Sequence, residues 1–209
     1  MVISPKHIQI LETAEKLFAA KGFECTTVRD IAEEAGVNLA MISYYFGSKA
    51  KLMEYLFEHR TGNIGMRVEN LLKNDSLAPM EKVELLIDEH IERAVQQQRF
   101  HKIMLCEQVI NKNPVIIKVL RKIKIRNTQI IETLIKDGQK KGAFKKPVDV
   151  VLLLSTMIGT VNQMLINKTY YRDFNKLDDL TDEQLQALIK KRLSNHIKKL
   201  FKAILTNEP

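Results

Sequence analysis

The side chains in this sequence whose types and spacing suit chemistry are hydrogen-bonding groups gathered between residues 27 and 49. They are Thr27, Arg29, Asn38, Ser43, Tyr44, Tyr45 and Lys49. Hydroxyl, amide, guanidinium and ammonium groups bind phosphate oxygens and base edges without any activated nucleophile. The sequence contains no HExxH, GxSxG, P-loop or GxGxxG motif, and its five histidines show no Glu-x-x-His pairing of the di-iron type. We therefore expect a binding protein that is not an enzyme and that holds neither a metal nor a cofactor.

Two short helices joined by a tight turn are predicted to carry most of these groups. Thr27 can cap the first helix, with Asp30 three residues later in a near capping box. Gly36 follows the last apolar residue of that helix, where glycine takes a positive φ without a steric clash. Asn38 then caps a second helix, Leu39–Phe46. Helices joined by so short a turn cross steeply, which predicts a helix-turn-helix.

The second helix is suited to a DNA major groove, which is about 12 Å wide. Its open side carries Leu39, Ala40, Ser43 and Tyr44. Leu39 and Ala40 can contact thymine methyl groups, Ser43 can hydrogen-bond several bases, and the phenol of Tyr44 can reach a phosphate. Asn38 lies at the start of the same helix and completes the predicted reading surface.

Phosphate contacts are expected where two neighbouring helices begin. Ser48 caps a third helix whose first residue, Lys49, adds an ammonium group to the free backbone N–H groups. Thr27 and Arg29 form a similar pair at the start of the first helix, and the hydroxyl of Tyr45 can reach the backbone. Tyr45 as a core aromatic and Lys49 as a solvated side chain are the alternatives.

The segment resembles the DNA-binding domain of TetR-family transcriptional regulators over roughly the first 55 residues. The matching residues are Ala14, Leu17, Phe18, Gly22 and Phe23, then 27–32, 35–37 and 44–46, and finally Ser48, Lys49 and Leu52. Ser43 departs from an aromatic that is usual in the family, and Leu39 departs from a basic or polar residue. The resemblance implies phosphate contacts by Thr27, Tyr45 and Lys49. It also implies a repressor that binds double-stranded DNA as a homodimer through its last two helices.

Composition favours an all-α protein of two parts. The 209 residues are 45% hydrophobic and 6% aromatic, with no Trp, 8 Gly and 5 Pro. We expect about nine helices: a three-helix helix-turn-helix domain over 1–50, then a helical effector-binding and dimerisation domain over 51–209. One helix is predicted from residue 48 to 74, and an ordered loop over 170–174. The net charge of +8 suits a polyanion, yet residues 1–47 carry four Lys/Arg against six Asp/Glu.

Cellular location follows from cysteine usage and from the termini. Cys25 and Cys106 lie far apart in the sequence, which indicates a reduced cytoplasmic protein; a disulfide is the alternative. Cys25 is expected to fill the small core of the three-helix domain over residues 1–50. The N-terminus does not resemble a signal peptide. The uncharged stretch 150–167 is too short and too polar for a membrane span and predicts a helix buried on all sides.

A small-molecule effector is predicted to bind the second part and to change the spacing of two DNA-reading heads. The candidate contacts are His59, Asn63, His101, Met104, Gln108, Met157, Thr160 and Gln163. Their methionine and neutral polar side chains suit an apolar or amphipathic molecule. One of Glu107 and Gln108 is expected to point inward, where a buried polar group needs a ligand or a structural hydrogen bond as its partner.

Two other functions are compatible with the composition. The chain could be a helical small-molecule-binding protein or enzyme whose N-terminal domain docks a protein partner, although no convergent polar site is visible. It could instead lie on a membrane surface through its basic second half. No membrane association is expected, because the helix-turn-helix pattern accounts for the residues from Thr27 to Lys49.

Overall fold

The computed structural model describes residues 4–62, 64–110 and 113–206, which form eleven helices and no strand. The helices are α1 (Pro5–Lys21), α2 (Val28–Glu34), α3 (Leu39–Phe46), α4 (Lys49–Thr61), α5 (Ile64–Leu72), α6 (Pro79–Gln96), α7 (Gln98–Ile110), α8 (Pro114–Lys140), α9 (Val150–Ile166), α10 (Lys168–Phe174) and α11 (Asp182–Leu205). The all-α prediction is confirmed, as is the order of a helix-turn-helix followed by a helical body.

Local capping explains where the helix-turn-helix begins and turns. The Thr27 hydroxyl accepts a hydrogen bond from the Asp30 N–H at 3.1 Å, and the Asp30 carboxylate accepts one from the Thr27 N–H at 2.9 Å. Gly36 has φ +60°, and the following N–H of Val37 reaches back to the Ala32 carbonyl at 3.0 Å. The Asn38 side chain then accepts from the N–H of Ala40 at 2.9 Å and starts α3.

The chain divides into two compact units, each with its own core. Unit 1 comprises Met1–Ile64 and Gln98–Ile125, and unit 2 comprises Gly65–Gln97 and Arg126–Pro209. Helix α8 therefore begins in one unit and ends in the other. This division differs from the boundary predicted at residue 50, because α7 and the first half of α8 pack with the helix-turn-helix.

The core of unit 1 joins the helix-turn-helix to two later helices. It includes Ile42 and Phe46 of α3, which are 1% and 4% exposed, and Phe100 of α7. Arg60 of α4 also binds the buried carboxylate of Glu15 on α1, with Nε to Oε2 at 2.9 Å. The core of unit 2 is built from α6, the second half of α8, α9 and α11.

Two helix predictions were wrong in detail. The single helix predicted over 48–74 is two helices, α4 and α5, on either side of Asn63, which lies outside the described residues. The segment predicted as a loop over 170–174 belongs to α10. This helix buries no residue fully, but its half-buried Tyr171 packs against the core of unit 2 and accepts a hydrogen bond from Arg192 of α11. The Tyr170 and Phe174 rings contact each other, and Arg172 binds Asp182 at 2.6 Å. One core contact does not make the apolar stripe that reveals a helix in a sequence.

One burial prediction was also wrong, since Cys25 is exposed and fills no core. Within a single chain, helix α9 is buried on one side only, through Leu153, Met157 and Val161. Its other side leaves Leu152 and Ile166 each 65% exposed.

Within the described ranges no single helix is long and apolar enough to cross a membrane. Helices α9 and α10 reach that length and composition only when taken together, across a bend of 74°. The same ranges hold no cluster of three or more His, Cys, Asp or Glu side chains that could bind a metal ion.

Glu107 of α7 is a buried carboxylate in unit 1, with 6% of its surface exposed. It lies in the electrostatic fields of Glu24 and Lys49. Burial raises the pKa of this carboxyl above the ordinary value for glutamate, and Glu24 raises it further; Lys49 and the Phe23 N–H act in the opposite direction. The residue predicted to point inward from α7 is thus Glu107.

Replacing Gly36 by alanine should destabilise the protein by about 1 kcal/mol, because the residue needs a positive φ. A Cβ at this position would meet nothing within 4 Å, so the backbone conformation alone sets the cost. Gly65→Ala is the matched control. Its Cβ would meet the Ile130 side chain at 3.8 Å inside α5, and the change should stabilise by up to ~1 kcal/mol. Urea unfolding measures both, and equal stability of Gly36→Ala and wild type would contradict the assigned turn.

Replacing Glu107 by glutamine should raise the free energy of unfolding at neutral pH. The raised pKa means that the folded state binds more protons than the unfolded state, so the charged carboxylate costs stability above its folded pKa. The stability difference between Glu107→Gln and wild type should therefore shrink as pH falls through that pKa towards the ordinary glutamate value. Urea titrations at several pH values measure it, with the exposed Glu12→Gln on α1 as the control for charge removal. A difference that is constant with pH would contradict this assignment.

Candidate nucleic-acid interface

Helix α3 presents one side to solvent and buries the other. Tyr44 is 84% exposed and Leu39 is 37% exposed, while Ile42 is buried below them. Ala40 and Ser43 are exposed on the same helix. The predicted reading residues of α3 therefore share an accessible surface of the kind that fits a major groove.

The start of α2 offers a hydroxyl and a cation beside a carboxylate. The Thr27 oxygen is used as the helix cap, where it accepts the N–H of Asp30. Hydrogen bonds from the Thr27 backbone and side chain lower the pKa of Asp30, so this carboxyl is ionised near neutral pH. The Asp30 carboxylate repels an approaching phosphate. Arg29 is exposed and forms no ion pair among the residues that the structure describes. Arg29 is thus the cation that can offset Asp30 at this helix start.

Lys49 does not extend into solvent as expected for a phosphate ligand. Its Nζ donates to the carbonyl oxygens of Phe23 at 2.8 Å and Thr26 at 2.9 Å, with that of Glu24 at 3.5 Å. The same ammonium lies 4.3 Å from the centroid of the Phe23 ring. These contacts hold the ammonium at the turn between α1 and α2. The Lys49 side chain is half-buried, and its contact with phosphate stays a prediction.

Tyr45 is half-buried, and its ring centroid lies 4.1 Å from that of His7 on α1. The Ser4 hydroxyl is 2.8 Å from His7 Nδ1, so the cap of α1 also positions the ring against which Tyr45 packs. The aromatic body of Tyr45 thus contributes to the head's packing. Its role at a phosphate remains a prediction.

The residues predicted to contact an effector are divided between the two units. His59, His101, Met104 and Gln108 belong to unit 1, and Met157, Thr160 and Gln163 belong to unit 2. Asn63, the eighth of them, lies outside the described residues.

The structure places these side chains in different surroundings. His59 and Gln163 are exposed, and Met157 is a core residue of unit 2. Two others already bind within their own helices: Gln108 donates to the Met104 carbonyl at 3.0 Å, and the Thr160 hydroxyl donates to the Thr156 carbonyl at 2.7 Å.

A groove of about 450 Å³ lies between α5 and α8 in unit 2. It is lined by Gly65, Met66, Glu69, Arg126, Gln129, Ile130 and Thr133. None of the predicted effector residues lines it. The α8 residues that line it carry no sequence signal that separates them from a solvated helix face.

Two family models together match most of the chain. The model for bacterial regulatory proteins of the tetR family matches residues 10–56, which include the helix-turn-helix. The model for the C-terminal region of YsiA-like proteins matches residues 57–191, more than half of the 209 residues.

Curated relatives have the same kind of description. The fatty acid metabolism regulator protein of Bacillus subtilis (strain 168) is 26% identical over 189 residues, which cover 88% of this chain and 94% of the relative. The probable HTH-type transcriptional regulator YttP of the same organism is 30% identical over 147 residues, 68% of each chain.

The fold is shared with a solved structure. The regulator FadR from Bacillus subtilis, crystallised in complex with stearoyl-CoA, matches with a TM-score of 0.69 and 23% identity over 92% of this chain and 96% of that chain. At that identity the match shows the fold alone. The family models match most of the chain, and α3 has an exposed side that suits a DNA groove. The chain therefore belongs to the TetR family of bacterial regulatory proteins and is a DNA-binding transcriptional regulator.

Proposed function

We propose that this protein is a homodimeric cytoplasmic repressor that binds a palindromic operator and releases it when an acyl-CoA thioester binds. The observation that carries the DNA-binding part is the exposed side of α3, with Ser43 and Tyr44 accessible above the buried Ile42. A two-fold dimer would place two such helices in major grooves one helical turn apart, about 34–36 Å.

The effector class is supported by the named relatives and by the predicted character of the ligand. One relative is named a fatty acid metabolism regulator, and the FadR structure that shares this fold holds stearoyl-CoA. The sequence predicts an apolar or amphipathic effector, and an acyl-CoA is amphipathic. To release DNA from near saturation, the thioester must favour the non-binding conformation by several kcal/mol.

The experiment that tests this function has two stages. Selection from random DNA with the purified full-length protein should enrich a palindrome. Stearoyl-CoA should then weaken binding to that DNA by ~10-fold or more, within the usual range of allosteric coupling. Free CoA and stearate are the controls for the nucleotide and for the chain. Failure to enrich any palindrome would refute the operator, whereas tight binding that no acyl-CoA alters would refute only the effector.

The proposed dimer face is the solvent side of α9 with the adjoining α10. Val151, Leu152, Ile158 and Ile166 are between 41% and 65% exposed along α9, and Tyr170 and Phe174 continue the apolar surface on α10. Contiguous apolar surface of this kind is typical of an interface between proteins.

Helix α11, the other helix of the predicted dimer interface, offers less apolar surface to a partner. Its regular apolar stripe, from Leu185 to Leu205, is buried in the core of unit 2. Its solvent side carries Lys191, Arg192 and Lys199, and two copies of this surface would repel each other if they faced directly. We therefore assign most of the apolar contact between protomers to α9.

Arg29→Ala should weaken DNA binding on every sequence and lower the salt dependence by about 0.9 in the log–log slope for each phosphate contact removed. Lys49→Ala should lower that slope less, because the Lys49 ammonium is bound to backbone carbonyls rather than exposed. Ser43→Ala should change base preference and leave the slope unchanged. Fluorescence anisotropy over a range of salt concentrations distinguishes the three. A larger slope change for Lys49→Ala than for Arg29→Ala would show that Lys49 leaves its carbonyls to bind phosphate.

Ile158→Glu should convert the dimer to a monomer at micromolar concentration. Burying a carboxylate in an apolar interface costs about 3 kcal/mol or more, which corresponds to a roughly 100-fold weaker dimer. Val109→Glu is the matched control, since Val109 is 84% exposed on α7 and is not part of the proposed α9 and α10 face. Sedimentation velocity reports the mass of each variant. If Ile158→Glu remains a dimer, or if the wild type is a monomer, α9 is not the dimer interface.

A further inference from the structure

One side chain of α4 binds the turn that leads into α2. The turn runs from Gly22 to Thr26 and ends at Thr27, the cap of α2. The Lys49 ammonium, on the first residue of α4, donates to the carbonyl oxygens of Phe23 at 2.8 Å and of Thr26 at 2.9 Å. Both are ordinary N–H···O distances. The starts of α2 and α4, where phosphate contacts are predicted, are therefore joined by one lysine.

The bond to Thr26 fixes the peptide unit at which α2 begins. The carbonyl of Thr26 and the N–H of Thr27 belong to the same planar peptide group. Lys49 holds this group at its oxygen. The Asp30 carboxylate holds it at its hydrogen, with Thr27 N to Asp30 Oδ2 at 2.9 Å. Because the group is rigid, these two bonds set its orientation, and the lysine thus acts on the capping box that starts α2.

The other end of the turn is anchored in the core of unit 1. The ring of Phe23 is 4% exposed, and its centroid lies 5.4 Å from that of Phe18 on α1. The Lys49 ammonium lies 4.3 Å from the same Phe23 centroid, close enough for a cation–π contact. The hydroxyl of the buried Thr26 donates to the Gly22 carbonyl at 2.8 Å and closes the turn. The ammonium therefore binds a turn that α1 already holds in place.

Moving the ammonium to a phosphate has a cost within the protein. The carbonyl oxygens of Phe23 and Thr26 would lose a charged donor, and hydrogen bonds to charged groups are stronger than those between neutral groups. Lys49 is itself half-buried. Arg29, in the first turn of α2, is exposed and forms no ion pair among the residues that the structure describes. These surroundings favour Arg29 as the phosphate ligand and Lys49 as the group that places it.

We propose that Lys49 is a positioning residue, which supports DNA binding by holding the start of α2 and not by contacting phosphate itself. Its bonds to the turn place Thr27 and Arg29 relative to the start of α4, so that the donors of both helix starts reach the DNA backbone together. The resemblance to the family implies a direct phosphate contact by Lys49, and the two roles lead to different measurements. The inference rests on the phosphate contact proposed for Arg29 and does not depend on the operator sequence or the effector.

A double-mutant cycle on the full-length protein separates the two roles. Arg29→Ala should weaken binding to a DNA duplex by about 10-fold, the lower end for a charge-assisted hydrogen bond. Lys49→Met keeps the length of the side chain but removes the ammonium and frees the start of α2. In that background Arg29→Ala should cost about twofold or less, since Arg29 is already displaced. A cost that stays at about 10-fold shows two independent phosphate ligands and overturns the proposal. Fluorescence anisotropy at one salt concentration gives the four Kd values.

Lys51→Met is the matched control for this cycle. Lys51 lies two residues later on α4, where its side chain is 60% exposed and pairs with Glu54. Arg29→Ala should therefore still cost about 10-fold in the Lys51→Met background. If the cost disappears in both backgrounds, the effect comes from removing charge in general, and Lys49 has no positioning role.

Hydrogen exchange of the free protein, followed by NMR, tests the inference without DNA. The N–H groups of Thr27 and Asp30 are bonded within the capping box, and loss of the Lys49 bonds should let this box open more often. We expect both amides to exchange about fivefold faster or more in Lys49→Met, as for the loss of one net hydrogen bond. Lys51→Met should leave them unchanged. A phosphate ligand has no role in free protein, so unchanged exchange in Lys49→Met also overturns the proposal.

These outcomes are distinguishable from failure of the proposed function. If Arg29→Ala has no effect in otherwise wild-type protein, its phosphate contact is wrong and the route through Arg29 falls with it; exchange then decides whether Lys49 holds the turn. The lack of an enriched palindrome, or of a response to stearoyl-CoA, affects neither measurement, because they use the free protein or any duplex. If Lys49→Met fails to fold, Lys49→Gln, whose shorter side chain carries no charge, replaces it with changes expected in the same direction.

Discussion

The structure of the DNA-reading head depends on a core that the head does not complete alone. The helices of the helix-turn-helix bury Ile42 and Phe46 in the same cluster as Phe100 of α7 and Leu120 of α8. Removing apolar side chains from water is the main favourable term in folding, so this shared core fixes α3 and α7 together. Because Ile42 and Phe46 of α3 are buried in this core, the opposite side of α3 faces solvent.

Several cations of the DNA-reading region are already paired within the protein. The net charge is +8, yet the first 47 residues contain more acidic than basic side chains. Within the head, Arg60 is paired with Glu15, Lys16 with Glu34, and Lys49 with backbone carbonyls. Overall charge therefore says little about how the head meets phosphate. Affinity depends on which cations are free, on helix starts and on the fit of α3 to a groove.

Sequence reasoning succeeded where a local signal exists. The caps at Thr27 and Asn38 and the left-handed turn at Gly36 are set by interactions within four residues, and each was predicted. The prediction failed for α10, which buries no residue fully, and for Cys25, because cysteine is a residue type that is usually buried and here it faces solvent.

The sequence by itself determined that the protein is helical, where the recognition helix begins and ends, and to which family it belongs. These depend on capping chemistry and on the period of apolar residues, which are local along the chain. Only the tertiary structure decided that Lys49 turns inward to three carbonyls and that Glu107 is buried. It also decided that the apolar α9 keeps one side open. Such contacts join residues far apart in the chain, and neither composition nor spacing specifies which of many possible partners will meet.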